Sequence, residues 1–143
     1  MAIRNVFEHV QELAASIENL EVEHLQQELA AGEDITLLDL RELQELVDKG
    51  TIPGAIHTPR GMLEFWADPA SPYARDYFAE DKRIIVFCAG GGRSVYAVKA
   101  LEDMGFKNVA NLTKGFGGWL AAGEPVQDFA ATSRWVRREQ PAE

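Results

Sequence analysis

The chain has 143 residues, 46% hydrophobic and 26% charged, enough for one ordinary domain with its own core and too few for two comfortable ones. Its formal net charge of −9, from 23 acidic and 14 basic residues, argues against a nucleic-acid partner, since phosphate contacts need clustered Lys and Arg. No apolar run approaches the roughly 18 residues that span a bilayer, and the N-terminus has no signal-peptide core, so the expected partners exclude a membrane and the default location is cytoplasmic.

In chain order, Ile3, Val6, Phe7, Val10, Leu13, Ala14 and Ile17 recur at helical spacing and predict an amphipathic helix over residues 1–18. Packing of its apolar stripe onto the main body is the favoured reading, and contact with a partner is the alternative. After a connector at Asn19-Leu20-Glu21, Val22, Leu25 and Leu29 predict a second helix stopped by Gly32. Ile35 to Leu40 reads as a strand. Leu43, Leu46 and Val47 make a short helix closed by Gly50, and Ala55-Ile56-His57 is a brief strand entered through Pro53-Gly54. A helical turn is expected around Met62 to Trp66, then a loop at 68–72, while Tyr73 to Phe78 carry no clear pattern.

Ile84-Ile85-Val86-Phe87 is the clearest strand, four consecutive apolar residues that fit a strand covered on both faces. It runs into Cys88-Ala89-Gly90-Gly91-Gly92-Arg93-Ser94, and a helix follows with Val95, Val98, Leu101 and Met104 inward and Gly105 as its stop. Val109 to Leu112 give another strand and Phe116 to Ala122 a last short helix. The basic cluster Arg134 to Arg138 around Trp135 reads as a solvated helix end in a C-terminal tail, 128–143. Strands alternating with helices predict an α/β fold with a mainly parallel sheet and helices on both faces.

Cys88 is the sole cysteine, which excludes an internal disulfide framework. The three His, at 9, 24 and 57, have no Cys–His spacing suited to structural zinc, and no metal or cofactor is expected. Cys88 follows a strand in an open parallel sheet, where ligands bind beyond the carboxyl ends of the strands. Gly90, Gly91 and Gly92 free the backbone for positive φ and for close approach to a ligand. Successive N–H groups can then converge into an anion-binding nest, and the helix starting near Gly92 aims its dipole at the same spot. With the charge of Arg93, these features favour the thiolate. Such a nucleophile could attack electrophilic sulfur, phosphorus or arsenic.

From Thr36 to Val126 the sequence resembles the rhodanese family in its single-domain form. The family's Cys-x-x-Gly-x-Arg-Ser loop stands here as Cys88 to Ser94, and its Asp-x-Arg as Asp39-Leu40-Arg41. Its His-Ile-Pro-Gly-Ala-Ile segment matches Thr51 to Ile56, with Thr51 in place of His. Its closing Gly-Gly-x-x-Trp and Gly-x-Pro-Val are similar to Gly115 through Trp119 and Gly123 to Val126. The resemblance implies a five-stranded rhodanese-like domain at 19–127, and a sulfurtransferase cycle through a Cys88 persulfide. The donor would be a small sulfur-containing anion such as thiosulfate, and the acceptor cyanide, a thiol or a protein. The N–H groups of Ala89, Gly90, Gly91, Gly92, Arg93 and Ser94 would hold the persulfide, with Arg93 binding the donor and Ser94 supporting the loop. A relay module without its own enzymatic turnover is the alternative.

Phosphatases and arsenate reductases of the same fold carry five residues between Cys and Arg. Four lie between Cys88 and Arg93, so their chemistry is disfavoured by family analogy. Arg60 is a candidate for lining the mouth of the site. Asp39 reads as a structural acceptor, and Arg41 as its partner, a partner of Glu42 or a solvated charge. His57 reads as a hydrogen-bonded structural residue, Phe65 and Trp66 as core rather than a cap on the pocket, and Trp119 as packing.

Overall fold

The computed structural model describes residues 2–133, so the basic cluster at Arg134 to Arg138 lies outside the described residues. Its centre is a five-stranded sheet in the order β1 (Glu18–Leu20), β5 (Val109–Leu112), β4 (Arg83–Phe87), β2 (Ile35–Asp39), β3 (Ile56–His57). All four pairings are parallel, as the alternating pattern predicts.

The unbroken apolar run of β4 is explained by what covers it. Ile85 and Phe87 join one core cluster with Leu25 of α2 (Val22–Ala30) and with Phe116 and Trp119 of α6 (Gly115–Ala121). Ile84 and Val86 point the other way, onto Leu63 of α4 (Leu63–Ala67) and onto Ala97, Val98 and Leu101 of α5 (Gly92–Met104). A strand with solvent on neither face gains nothing from alternating polarity. Truncating Ile85, which is fully buried, would cost about 2–5 kcal/mol.

The fifth strand lies in the segment read as a connector. In β1 only Leu20 is buried, because an edge strand of three residues needs one apolar anchor and the backbone pairing with β5. The boundary drawn after residue 18 falls inside this strand. Met104, expected inward, is instead 39% exposed. Gly105, with φ of 112°, ends α5 there, and Phe106 folds back with its N–H on the Leu101 carbonyl to pack against the core in its place. The inward face of α5 is completed by Ser94 and Ala97. Tyr73 to Phe78 form turns, with Tyr77 and Phe78 packed against the α5 side of the core.

The first helix, α1, spans Val6–Ala14 and is capped by Asn5, whose side-chain oxygen accepts from the N–H groups of Phe7 and Glu8. It lies along α5, yet none of its residues is buried. Packing in cis therefore uses only part of its apolar stripe.

Candidate active site

Cys88 stands immediately after β4, at the carboxyl end of a central strand, with 1% of its surface exposed. Four groups converge on its sulfur. The Gly91 N–H donates to Sγ at 3.1 Å, the Ser94 hydroxyl lies 3.4 Å away, and the N–H groups of Ser94 and Gly90 reach it as well. Burial is the largest single influence on the thiol and pushes its pKa up. The Ser94 hydroxyl and the three N–H groups together outweigh burial and hold the pKa below the ordinary cysteine value.

The glycines of the loop are not equivalent. Gly91 has φ of 106°, and a Cβ there would collide with the Thr113 carbonyl oxygen. Gly90 and Gly92 have neither positive φ nor a neighbour that a Cβ would meet. The other side of the loop is clamped by the start of α6: Phe116 N–H donates to the Cys88 carbonyl at 2.8 Å and Gly117 N–H to that of Ala89 at 2.9 Å. This approach requires Gly115, at φ of 58°, where a Cβ would strike the Cys88 carbonyl oxygen. The Gly115-Phe116-Gly117-Gly118 run was the available signal for this clamp, but its partner lies far off in sequence.

Arg93 lies on the first turn of α5 and lines the same cleft as Cys88, but its guanidinium is bidentate to Glu45 of α3 (Leu43–Lys49), at 2.7 and 3.0 Å. The Glu45 carboxylate raises the Arg93 pKa, and Arg93 in turn lowers that of Glu45. Glu45 was not singled out from the sequence, because nothing local marks which of many surface acids will reach the loop.

Asp39 and Arg41 sit beneath, both buried. Arg41 donates to both Asp39 oxygens, at 3.0 and 2.8 Å, and to the Gly50 carbonyl at 2.7 Å, so Asp39 rather than Glu42 or solvent is its partner. Thr51 donates to Asp39 at 2.7 Å. The Arg41 guanidinium also lies 4.2 Å from the ring centre of Phe116, which ties this network to the clamp on the loop. His57 donates from Nε2 to the Arg41 carbonyl at 2.8 Å, the expected structural role.

Arg60 does not join the site. It pairs with Glu64 at 2.7 Å one helical turn on, and it does not line the Cys88 cleft. Phe65 is 56% exposed, hence not core, and does not line the Cys88 cleft, while Trp66 stacks under Arg75 at 4.4 Å beside a different cleft. Trp119 is buried packing, its indole N–H bonded to the Pro125 carbonyl at 2.7 Å.

Over Cys88 opens a cleft of about 760 Å³, floored by Gly90, Gly91 and Gly92 and walled on one side by α1. Among the described residues, no group of three or more His, Cys, Asp or Glu is placed to hold a metal, and no helix is long and apolar enough to cross a membrane.

The chain is 32% identical over 122 residues to YrkF of Bacillus subtilis, named for sulfur carriage, and covers 85% of itself but 61% of that protein. It is 29% identical to a sulfurtransferase of Allochromatium vinosum, over 77% of this chain and 94% of the relative. Among solved structures, RPA3614 of Rhodopseudomonas palustris, described as of unknown function and a candidate tyrosine phosphatase, superposes with a TM-score of 0.83 at 41% identity, over 89% of this chain and 97% of that one. The model of the rhodanese-like domain matches residues 21–122, and the chain belongs to that family, in which the two relatives above are named for sulfur transfer and sulfur carriage.

Proposed function

We propose that the protein is a sulfurtransferase of the thiosulfate type, with Cys88 as the nucleophile that carries the sulfur. The Cys88 thiolate attacks the outer sulfur of thiosulfate, whose S–S bond breaks, and sulfite departs with the electron pair. The resulting Cys88 persulfide then gives its terminal sulfur to a nucleophile. With cyanide the persulfide bond breaks, thiocyanate leaves and the Cys88 thiolate is restored.

The observation that carries this reading is the convergence of Ser94, Gly90 and Gly91 donors on Sγ, which favours the anionic form of the nucleophile. The same donors offer stabilisation to a terminal sulfur bearing negative charge. Arg93 adds positive potential for an anionic donor, tempered by Glu45. The transferring unit is proposed to be residues 19–127, with 1–18 as an added helix and 128–143 as a tail. A cytoplasmic setting fits a lone unpaired thiol.

The description of RPA3614 supports a second reading, a phosphatase. Against it stands the loop: with four residues between Cys88 and Arg93, the donors close on the sulfur itself rather than around a tetrahedral oxyanion. One experiment separates the two. Purified protein with thiosulfate and cyanide is expected to release thiocyanate, and to leave an aryl phosphate ester unhydrolysed. Hydrolysis of the ester without thiocyanate formation would overturn the proposal in favour of the phosphatase.

A further inference from the structure

We propose that the cleft over Cys88 accepts an uncharged thiol with an apolar body as the receiver of the sulfur, and that α1 is the wall that recognises it. This rests on the sulfur-transfer reading above and adds the substrate class.

The volume, about 760 Å³, falls in the range of small-molecule sites and far exceeds what cyanide or thiosulfate would fill. Its walls are apolar: Val6, Phe7, Val10 and Ala14 on α1, Val95 and Tyr96 on α5. The α1 wall is held in place but left open. His9 Nδ1 and the Tyr96 hydroxyl are hydrogen-bonded at 2.7 Å, and Asn19 donates to the Ala14 and Ile17 carbonyls at 2.9 and 3.2 Å. Even so, Phe7 is 76% and Val6 51% exposed. A helix fastened at its middle and its C-terminal end, with its large apolar residues bordering a nucleophile, presents them to whatever enters.

Charge selects further. Arg93, the cation of the cleft, is already paired with Glu45, and the other charged residue of the lining, Glu21, is acidic. A negatively charged body gains little there. Asn111, which also lines the cleft and is 2% exposed, has a side-chain oxygen with no hydrogen-bond partner among the described residues. The oxygen is enclosed, so a small turn of the Asn111 amide toward the cleft lets a hydroxyl or amide N–H on the entering molecule supply the donor it lacks.

In the transfer step the acceptor thiolate attacks the outer sulfur of the Cys88 persulfide. The persulfide S–S bond breaks, its electron pair returns to Cys88 Sγ, and the acceptor leaves as a persulfide. The acceptor's proton goes to solvent, and no oxidant or reductant is consumed.

The test uses the full chain, loaded with thiosulfate and freed of excess donor, then mixed with mercaptobutanol or with mercaptobutanoate. Loss of the Cys88-bound sulfur is followed by intact mass. On wild type, mercaptobutanol should act about tenfold faster, the effect of burying roughly two methylenes that the charged thiol cannot bury. The double variant Phe7→Ser with Val10→Ser should still load from thiosulfate, while the ratio falls to about twofold or less. Equal rates for the two thiols on wild type, or an unchanged ratio in the variant, would overturn the proposal. So would a dimeric wild type with a monomeric variant in sedimentation, which would give the apolar face to a second copy. Failure to load from thiosulfate at all would instead sink the sulfur-transfer reading.

Discussion

The wall of the cleft that carries Cys88 and the wall formed by α1 differ in how far the fold commits to them. Cys88 follows a strand whose four preceding residues are fully buried, and its loop is held by α6 on one side and opens directly into α5 on the other. The loop is anchored to the body by Phe116 and Gly117 N–H groups on the Cys88 and Ala89 carbonyls. By contrast, α1 has no buried residue and touches the body chiefly along α5. The Cys88 wall is thus tied to the buried core, whereas the α1 wall can change its surface at little thermodynamic cost. On the proposed function, chemistry is fixed on the first wall and selectivity is open to variation on the second.

The largest effect is expected at Cys88, the proposed nucleophile. Cys88→Ala should abolish thiocyanate formation while leaving the circular dichroism spectrum intact. Next comes a contrast within the loop: Gly91→Ala, strained at positive φ and against Thr113, should cost about 3 kcal/mol in urea unfolding, whereas Gly90→Ala should stay within about 0.5 kcal/mol. Similar losses at both glycines would erase the distinction. Ser94→Ala removes a hydroxyl that favours the thiolate, so the Cys88 pKa should move up from its lowered position. The rate of alkylation by iodoacetamide, which follows the thiolate, should then rise at higher pH than in wild type. The sign for stability agrees: a depressed thiol pKa contributes stability above the unfolded value and loses it as pH falls through the folded one, and Ser94→Ala shrinks that window.

A smaller change is expected at Glu45. Glu45→Gln releases Arg93 and should lower the KM for thiosulfate by about threefold or less, the scale of a half-exposed ion pair. Smallest is Phe7→Ala on α1, which should shift global stability by about 0.5 kcal/mol or less. A substantially larger loss there would show that α1 belongs to the core and would collapse the contrast between the walls.

What was legible in the sequence followed the same division. The run Ile84 to Phe87, the glycines after Cys88 and the start of α5 are local signals, and they marked the loop that holds Cys88, the Ser94 hydroxyl beside its sulfur and the parallel sheet. The stripe of α1 was equally plain, but its burial was not, because burial depends on how much of α5 is left to cover it. Features that depend on distant partners were not legible. Glu45 meets Arg93 across 48 positions, Gly115 is required by the Cys88 carbonyl, and β1 exists because β5 offers it a pairing edge. Arg60 differs, since its partner is local: it follows a strand end, but it pairs with Glu64 one turn on and does not line the Cys88 cleft. Met104 misled because helical spacing continues past the point where the core ends.

The central claim is that Cys88 carries sulfur, and intact mass tests it most directly. Wild type and Cys88→Ala are incubated side by side with thiosulfate and desalted. The account predicts a gain of one sulfur atom on wild type, reversed by cyanide, and none on the variant. An unchanged wild-type mass, or the same gain on both proteins, would contradict it.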